Sequence, residues 1–190
     1  MATAYKDIRV SAEQYLEAEA RSEVRHEYAD GFVVAQAGAS RTHNLIAVTV
    51  SSFLRAHLKG SSCRTYVSDM KVRICAQDLD LFYYPDVMVS CDENPQSEYY
   101  EDKPCILIEV LSDSTESKDR LEKLNAYSKI PSLKEYILIS QNCVAVDVYR
   151  RSGSSFDLER LSDGDTLRIE SIGLEQPVKD IYEDVLGLIG

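Results

Sequence analysis

The stretch C-I-L-I-E-V-L, residues 105–111, is apolar at successive positions except for the carboxylate of Glu109. A strand that is apolar on both alternating faces is typical of the centre of a sheet that is covered on both sides. A carboxylate in such a strand is costly to bury unless a cation pairs with it. Glu109 therefore marks both the central strand and a candidate functional site.

A second acid lies in the preceding apolar run. Asp86 follows Pro85 within residues 81–89, and a proline restricts that position to a sheet edge or to the start of a strand. The two apolar runs are predicted to be neighbouring strands, so Asp86 and Glu109 are expected to converge on one point. Two carboxylates with open coordination positions suit Mg²⁺ or Mn²⁺ better than zinc. Taken singly, either acid has a simpler alternative, which is a solvated strand end or a sheet end beside a cation.

The next segment predicts a helix whose orientation brings in a third group. Residues 112–115 supply its caps, and Pro131 ends it after about residue 130. At about 100° per residue, four polar residues share a face that is expected to face water: Lys118, Glu122, Asn125 and Lys129. Lys123 lies about 50° from the centre of the opposite face, so it is predicted to point toward the sheet. A snorkelling stem or an i, i+4 pair with Asp119 would give the same orientation.

The remaining pattern interleaves helices with strands. Ser11 caps a helix predicted over residues 12–21, and Asp30-Gly31 centres a hairpin over residues 24–36. Ser40 caps a second helix that runs to about residue 59. The other predicted elements are strands over 63–74, 135–140, 144–150, 155–161 and 166–169, and a final helix over 178–186. This order predicts an α/β fold in which a mixed central sheet is flanked by helices.

The length and composition predict one globular domain over residues 1–190. With 44% hydrophobic and 28% charged residues, the chain carries enough apolar side chains for a core. Its apolar stretches are too short for a membrane-spanning helix, and its first segment is too charged for a signal peptide. We therefore expect a cytoplasmic protein with no membrane partner.

The net charge of −11 disfavours non-specific attraction to the phosphates of nucleic acids. Residues 41–73 are the exception, because this segment carries +5 and leaves −16 for the rest of the chain. Such a segment serves either as a local nucleic-acid-binding face or as an ordinary solvated face. Its clustering around Asp86 and Glu109 in the folded protein would favour the first alternative.

The five cysteines and three histidines lack the spacings of metal sites. No C-x-x-C pair occurs, which argues against a zinc site and still more against a disulfide framework. The sequence also lacks the G-x-x-x-x-G-K-[ST], G-x-G-x-x-G and G-x-S-x-G motifs. Nucleotide-driven and serine-hydrolase functions are therefore not predicted.

Several short motifs occur together in one order along the chain. They are R-H-E-Y-A-D-G at 25–31, His43, P-D-V at 85–87, I-E-V-L-S at 108–112, then Asp119, Lys123 and Tyr127 at four-residue steps, and Glu135-Tyr136. In these motifs, over about residues 11–150, the sequence resembles the Uma2 family of the PD-(D/E)XK nuclease superfamily. The resemblance implies a restriction-endonuclease-like core, preceded by an N-terminal helix and a β-hairpin.

The resemblance also implies roles for particular residues. Asp86 and Glu109 would be ligands of a divalent metal ion, with the backbone carbonyl of Val110 as a third ligand. Glu27 would match the additional acid that such sites take from an N-terminal element. The superfamily usually has lysine two residues after the second acid, and that position is Leu111 in this chain.

Lys123 would then take the place of the missing lysine. An inward cation beside two carboxylates suits metal-assisted hydrolysis of a phosphodiester, in which the ion activates water and the cation orients it or stabilises developing charge. The sequence thus predicts an endonuclease that hydrolyses DNA with Mg²⁺ (or Mn²⁺) through Asp86, Glu109 and Lys123, helped by Glu27. Cleavage of a duplex requires two sites, which suggests a homodimer.

Two alternatives to this function remain open at the level of the sequence. One is a catalytically inactive nuclease fold that acts as a binding or assembly module, which the acidic net charge favours. The other is metal-assisted hydrolysis of a substrate smaller than nucleic acid. His43 has alternatives of its own, since a histidine in a first helical turn either contacts a phosphate or serves as a capping or core residue.

Overall fold

The computed structural model describes residues 9–36, 38–76, 79–112 and 116–189. The helices are α1 (Ala12–Glu19), α2 (Arg41–His57), α3 (Leu124–Tyr127) and α4 (Val178–Ile181). The strands are β1 (His26–Ala29), β2 (Phe32–Ala35), β3 (Arg64–Val67), β4 (Lys71–Ala76), β5 (Leu79–Tyr83), β6 (Val87–Ser90), β7 (Tyr100–Glu101), β8 (Pro104–Leu111), β9 (Glu135–Ser140), β10 (Ala145–Ser152), β11 (Ser155–Ser162), β12 (Thr166–Ile169) and β13 (Leu174–Pro177). A π-helical stretch, Lys118–Lys123, runs directly into α3, and a 3₁₀ turn, Glu170–Ile172, joins β12 to β13.

Two large sheets organise these strands. The first has six strands in the order β11-β10-β9-β8-β6-β3, and the second has five in the order β2-β1-β5-β4-β7. β8 and β9 are parallel, while the other pairings in the six-stranded sheet are antiparallel. The six-stranded sheet is therefore the predicted mixed sheet.

Strand β8 lies inside that sheet and is covered on both faces. Ile106, Ile108 and Val110 pack with α2 in one apolar core, and Leu107 and Leu111 pack with Tyr127 of α3 in another. The prediction of a doubly covered central strand is confirmed. Because strand side chains alternate between faces, Glu109 points to the same face as Leu107 and Leu111, toward the π-helical stretch and α3.

The N-terminal helix and hairpin form as predicted. The side chain of Ser11 accepts a hydrogen bond from the Gln14 N–H, and the Gln14 side chain bonds back to Ser11. β1 and β2 pair antiparallel around Asp30 and Gly31, whose φ angles are +46° and +91°. Positive φ at both central residues is what a two-residue type I′ hairpin turn requires.

Helix α2 is confirmed with slightly different bounds. The side chain of Ser40 accepts a hydrogen bond from the His43 N–H, which caps the first turn. The helix ends at His57, two residues before the predicted end, and Gly60 follows with a φ of +88°. Ile46, Val50 and Leu54 are buried against the six-stranded sheet.

Two predicted strands, 63–74 and 81–89, are wrong as single elements, because each is divided between the two sheets. β3 pairs with β6 in the six-stranded sheet, whereas β4 pairs with β5 in the five-stranded sheet. Ser68 has a φ of +46°, and its N–H donates to the Asp86 carbonyl at 3.1 Å. Pro85 has no N–H for a sheet ladder. One long hairpin therefore bends between the sheets at these residues.

The helix predicted to begin at residues 112–115 also differs from the structure. Residues 113–115 lie outside the described part of the chain, and the Glu116 N–H donates to the Ser112 carbonyl. Residues 118–123 are π-helical rather than α-helical, and α3 ends at Tyr127 instead of about residue 130. The final helix is likewise shorter than predicted, since α4 ends at Ile181.

A disulfide joins Cys63 to Cys91, contrary to the expectation from cysteine spacing. Arg64 pairs with Ser90 across β3 and β6, which places residues 63 and 91 side by side at the end of the two strands. A separation of 28 residues in the sequence gives no sign of this proximity. Among the described residues, no three metal-ligating side chains are grouped so as to hold a metal ion.

The described helices are too short or too polar to cross a lipid bilayer.

At the C-terminal end, β12 and β13 form the predicted short strand and its partner. α4 packs Val178 and Ile181 into the same core as α2.

Candidate active site

The residues predicted to form the site line one cavity of about 450 Å³. These residues are Glu27, Asp86, Glu109, Val110 and Lys123. Each comes from a distant part of the sequence, and the structure brings all of them together. Asp119, Lys118 and His43 also line this cavity.

Asp86 is positioned by the start of β6. Val87 pairs with Ile108 across β6 and β8, so Asp86 lies next to Glu109 when that register is continued by one residue. Its Oδ2 accepts a hydrogen bond from the Val110 N–H at 2.7 Å. The predicted convergence of the two strands at their acids is therefore present in the structure.

Glu109 is almost completely buried and is held by two donors. Lys123 Nζ and the Tyr127 hydroxyl each lie 2.9 Å from Glu109 Oε1. Burial raises the pKa of Glu109 well above its usual range, and the charges of Asp119 and Asp86 raise it further. The ammonium of Lys123 opposes this rise only in part.

Lys123 lies among three carboxylates. Its Nζ is 2.9 Å from Glu109, 3.0 Å from Asp119 and 3.4 Å from Glu27. Burial alone would lower the pKa of Lys123, but the three carboxylates outweigh burial and raise it. The side chain points inward as predicted, and it contacts the cavity acids and its i, i+4 partner at the same time.

Lys118 is a member of this site that the helical periodicity misses. It was expected to face water, yet its Nζ lies 2.5 Å from Glu27 Oε2. In a π-helix the hydrogen bonds close over five residues instead of four. Residues five apart therefore lie one turn apart, and Lys118 comes to the same side as Lys123. Both ammonium groups lie over the ring of Tyr83, at 5.5 Å and 5.8 Å.

Glu27 makes its ion pairs with these two lysines. It is buried in β1, while the neighbouring Arg25 pairs with Asp69 at 2.7 Å. Glu27 therefore does not pair with its neighbour Arg25. Glu27 links the N-terminal hairpin to Lys118 and Lys123.

His43 lies at the cavity end of α2. Its ring Nε2 is 2.9 Å from Asp86 Oδ1, and its backbone N–H donates to the side chain of Ser40. With the Val110 N–H on the other oxygen, the carboxylate of Asp86 is held at both oxygens. His43 thus orients one of the two principal acids.

Comparison with known proteins identifies the family of this chain. The sequence pattern of the Uma2 family, which is described as "Putative restriction endonuclease", matches residues 12–179. The chain belongs to the Uma2 family.

Two proteins of Synechocystis sp. are similar in sequence to this Uma2 chain. The protein slr1290 of Synechocystis sp. is 36% identical over 176 residues, which cover 92% of each chain. The protein sll1609 of the same organism is 33% identical over 147 residues, 76% of this chain and 82% of that protein. Both relatives are described as uncharacterized.

The solved structure is a crystal structure described as "a putative nuclease belonging to DUF820" from Anabaena variabilis. It matches with a TM-score of 0.69 at 18% identity and covers 92% of this chain and 98% of that chain. This structural match confirms the predicted restriction-endonuclease-like α/β fold. The match of the Uma2 sequence pattern confirms the predicted family.

One departure from the superfamily pattern has a structural counterpart in the Uma2 chain. Leu111, which stands where the superfamily usually has lysine, is buried in the apolar core with Leu107 and Tyr127. The ammonium beside Glu109 comes from Lys123 on the neighbouring helical segment instead. The cavity therefore has a buried lysine next to its second acid in spite of the apolar residue in the strand.

The charge of the cavity suits a divalent cation. Its lining has four carboxylates, Glu27, Asp86, Glu109 and Asp119, against the ammonium groups of Lys118 and Lys123. Arg25, at the same cavity, is already paired with Asp69. With all carboxylates ionised, two negative charges are left uncompensated, which is the charge that one divalent ion would neutralise.

The donor set suits Mg²⁺ in particular. Asp119 Oδ1 is buried, and Lys123 Nζ lies 3.0 Å from it without hydrogen-bonding geometry. The described part of the chain contains no preformed cage of three metal-ligating side chains. Mg²⁺ does not require one, because it commonly binds through one or two carboxylates and keeps several waters.

The basic segment, residues 41–73, does not cluster around Asp86 and Glu109 as the nuclease hypothesis expected. Among the described residues that line the cavity, the lysine and arginine side chains are Arg25, Lys118 and Lys123, all from outside that segment. Lysines and arginines of the basic segment instead lie on α2, just after α2, on β3 and on β4, and α2 carries Arg55 away from the cavity along its length.

Proposed function

We propose that this Uma2 protein is a Mg²⁺-dependent (or Mn²⁺-dependent) endonuclease that hydrolyses phosphodiester bonds of DNA. One observation carries the proposal: Asp86, Glu109 and Lys123, from three separate segments, line a single cavity, with Lys123 2.9 Å from Glu109. Membership of a family described as "Putative restriction endonuclease" supports the same function.

Asp86, Glu109 and the backbone carbonyl of Val110 would hold the metal ion. The N–H and C=O of one strand residue point to the same side, and the Val110 N–H already donates to Asp86. The Val110 carbonyl therefore projects toward the position of Asp86, beyond the end of β6. When bound, the ion supplies Lewis-acid activation of water and charge stabilisation at the phosphate.

Lys123 acts as a cation in this proposal and not as a base. Its raised pKa keeps the ammonium protonated at neutral pH, so it stabilises negative charge that develops on a phosphate oxygen. Glu27 keeps Lys118 and Lys123 on the same side of the cavity. His43 holds Asp86 in one orientation through its ring nitrogen.

The second candidate function is a nuclease fold that binds a partner without hydrolysis. It is favoured by the acidic net charge of −11 and by the three carboxylates that already surround Lys123. A substrate phosphate would have to compete with these carboxylates for the ammonium. The first function requires that a bound metal ion weaken the contacts between these carboxylates and Lys123. The second function does not require this.

A plasmid-nicking assay with purified protein tests the proposal. We expect conversion of supercoiled DNA to the open-circular form with Mg²⁺ or Mn²⁺, no conversion with EDTA, and loss of conversion in Asp86→Asn. Cleavage that persists unchanged in Asp86→Asn would reject the proposed site. Binding of Mg²⁺ without cleavage of DNA or RNA would favour the binding module.

A homodimer belongs to the same proposal, because cutting both strands of a duplex requires two sites. Light scattering on the purified chain is expected to give twice the 21.4 kDa of the monomer. A monomeric mass, together with nicking of only one strand, would reject the homodimer and retain the endonuclease.

A further inference from the structure

One surface of the molecule is basic although the chain is strongly acidic. Residues 31–68 contain no aspartate or glutamate, and they include four cations, Arg41, Arg55, Lys59 and Arg64. Most of these residues belong to α2 and the turn that follows it. This acid-free segment therefore carries a charge of +4 in a chain whose overall charge is −11.

Six exposed residues, five on α2 and Lys59 in the turn that follows it, form one stripe, here called the α2 ridge. They recur at the three- and four-residue spacings of one helix face: Arg41, Asn44, Val48, Ser52, Arg55 and Lys59. The opposite face of α2 is buried against the six-stranded sheet. The ridge is thus a continuous outer surface with a cation at its first position and two cations at its last positions.

The α2 ridge begins at the proposed active site. Asn44, together with His43, lines the cavity that holds Asp86. From Asn44 to Arg55 the helix rises about 17 Å at 1.5 Å per residue. Arg55 and Lys59 then line a shallow groove between α2 and the edge strand β3. A ligand that lies in the cavity can therefore continue along the ridge to this groove.

The ridge cations have no structural partners that would explain them. Arg41, Arg55 and Lys59 form no ion pair with any residue in the described part of the chain, although acids outnumber bases by 32 to 21. Arg55 in the last turn favours the helix dipole, but Arg41 is at the first position, where a cation is unfavourable. Stability of the helix therefore does not account for the presence of both Arg41 and Arg55.

We infer that the α2 ridge is a docking surface for the sugar-phosphate backbone of duplex DNA whose scissile phosphate lies in the cavity. This inference rests on the proposed function. The phosphates of one duplex strand advance about 3.4 Å each along the helix axis, so the stretch from Asn44 to Arg55 matches the axial advance of about five of them. Positive charge at both ends of the ridge matches such a row, and its contacts to phosphate position the duplex without reading its sequence.

The experiment measures duplex binding by fluorescence anisotropy without divalent metal, so that no cleavage occurs. The probe is a labelled duplex of about 30 base pairs, roughly three helical turns. The ridge variant is Arg55→Gln with Lys59→Gln, and the matched control is Lys129→Gln with Lys134→Gln, which changes the net charge equally. Arg41→Gln provides an independent third variant at the other end of the ridge.

We expect the ridge variant to lower the slope of log affinity against log salt by about two, and Arg41→Gln by about one. The control is expected to keep the wild-type slope. Equal losses in ridge and control variants would show an effect of net charge alone and overturn the inference. Tighter, equally ridge-dependent binding to vesicles containing phosphatidylserine would overturn it in favour of a membrane surface.

Failure of this inference is distinguishable from failure of the proposed function. Nicking that requires Asp86 but is unchanged in the ridge variant at physiological salt would reject the ridge and retain the nuclease. The expected loss of salt slope in a protein that cleaves no substrate would retain the ridge and reject the nuclease.

Discussion

Two buried glutamates on neighbouring parallel strands have opposite surroundings. Glu109 lies near the end of β8, and Glu135 begins β9 opposite Ile106. Their exposed fractions are 3% and 2%. Burial by itself therefore does not distinguish a functional carboxylate from a structural one.

The difference lies in the donors. Glu135 accepts hydrogen bonds from the backbone N–H groups of Glu170 and Ser171, at 2.8 and 3.2 Å, and from the Ser171 hydroxyl. It fastens the 3₁₀ turn to the six-stranded sheet. Glu109 is instead held by the side chains of Lys123 and Tyr127 and faces other carboxylates, which raise its pKa. A carboxylate that is repelled by its neighbours is suited to a cation that is not part of the protein.

The largest expected effect separates the two glutamates by activity. Glu109→Gln should reduce Mg²⁺-dependent cleavage by about 10²–10³-fold or more, because it removes a ligand charge while keeping the side-chain shape. Glu135→Gln should leave the rate per folded molecule within about twofold. Nicking kinetics, normalised to the folded fraction from circular dichroism, measure both. If the two variants lose activity equally, the comparison fails.

The next effect separates them by stability. Glu135→Ala should lower the free energy of unfolding by about 2–4 kcal/mol, because buried backbone N–H groups lose their acceptor. Urea titration measures this change. Arg150 Nε lies 3.6 Å from Glu135 and 3.7 Å from the exposed Glu170. The matched control is therefore Glu170→Ala, which should change stability by less than about 0.5 kcal/mol. A Glu135→Ala protein as stable as its control would show that this carboxylate does not hold the turn.

The pH dependence sharpens the comparison in metal-free protein. Because the pKa of Glu109 is raised in the folded state, the folded protein binds more protons than the unfolded chain above the ordinary glutamate pKa. Stability is therefore lost as pH rises from that value to the folded-state pKa. Glu109→Gln cannot ionise, so its advantage over wild type should grow with pH in this window, by up to about 1.4 kcal/mol per unit.

Urea titrations across this pH range test the sign of the effect. An advantage that shrinks as pH rises would mean that Lys123 stabilises the Glu109 charge more than burial opposes it. Glu135→Gln is the control, and the difference between its free energy of unfolding and that of the wild type should not increase with pH.

The smallest effect concerns Lys118, which shares Glu27 with Lys123. Lys118→Met should lower cleavage by about tenfold or less and change stability by under about 1 kcal/mol, since its ion pair is partly exposed. Lys129→Met, in the turn after α3, is the control and should not change cleavage. A loss of cleavage as large as that of Glu109→Gln would show that Lys118 is as important for cleavage as Glu109.

Much of this site follows from local sequence. The strand character of residues 105–111 and the inward side of Lys123 depend on periods of two and 3.6 residues, which the sequence displays directly. The hairpin at Asp30-Gly31 depends on two residues whose backbone preference is local. These predictions agree with β8, with the cavity-facing lysine and with the β1–β2 hairpin.

Other features depend on contacts between distant residues. Lys118 faces the cavity because the helix is π-helical there and because Glu27, 91 residues away, accepts its ammonium. The disulfide between Cys63 and Cys91 depends on the pairing of β3 with β6. The crossing between sheets at Ser68 depends on a hydrogen bond to Asp86. No regular period in the sequence reports such contacts.

The amino-acid sequence by itself determined which segments are apolar on two faces, where acids interrupt them, and that the chain belongs to the Uma2 family. Only the tertiary structure decided that four acids and two lysines share one cavity, and that α2 carries the basic segment away from it. The physical reason is that desolvation and Coulomb energy depend on distances in space. Glu27, Asp86, Glu109 and Lys123 are far apart along the chain and acquire these interactions only when it folds.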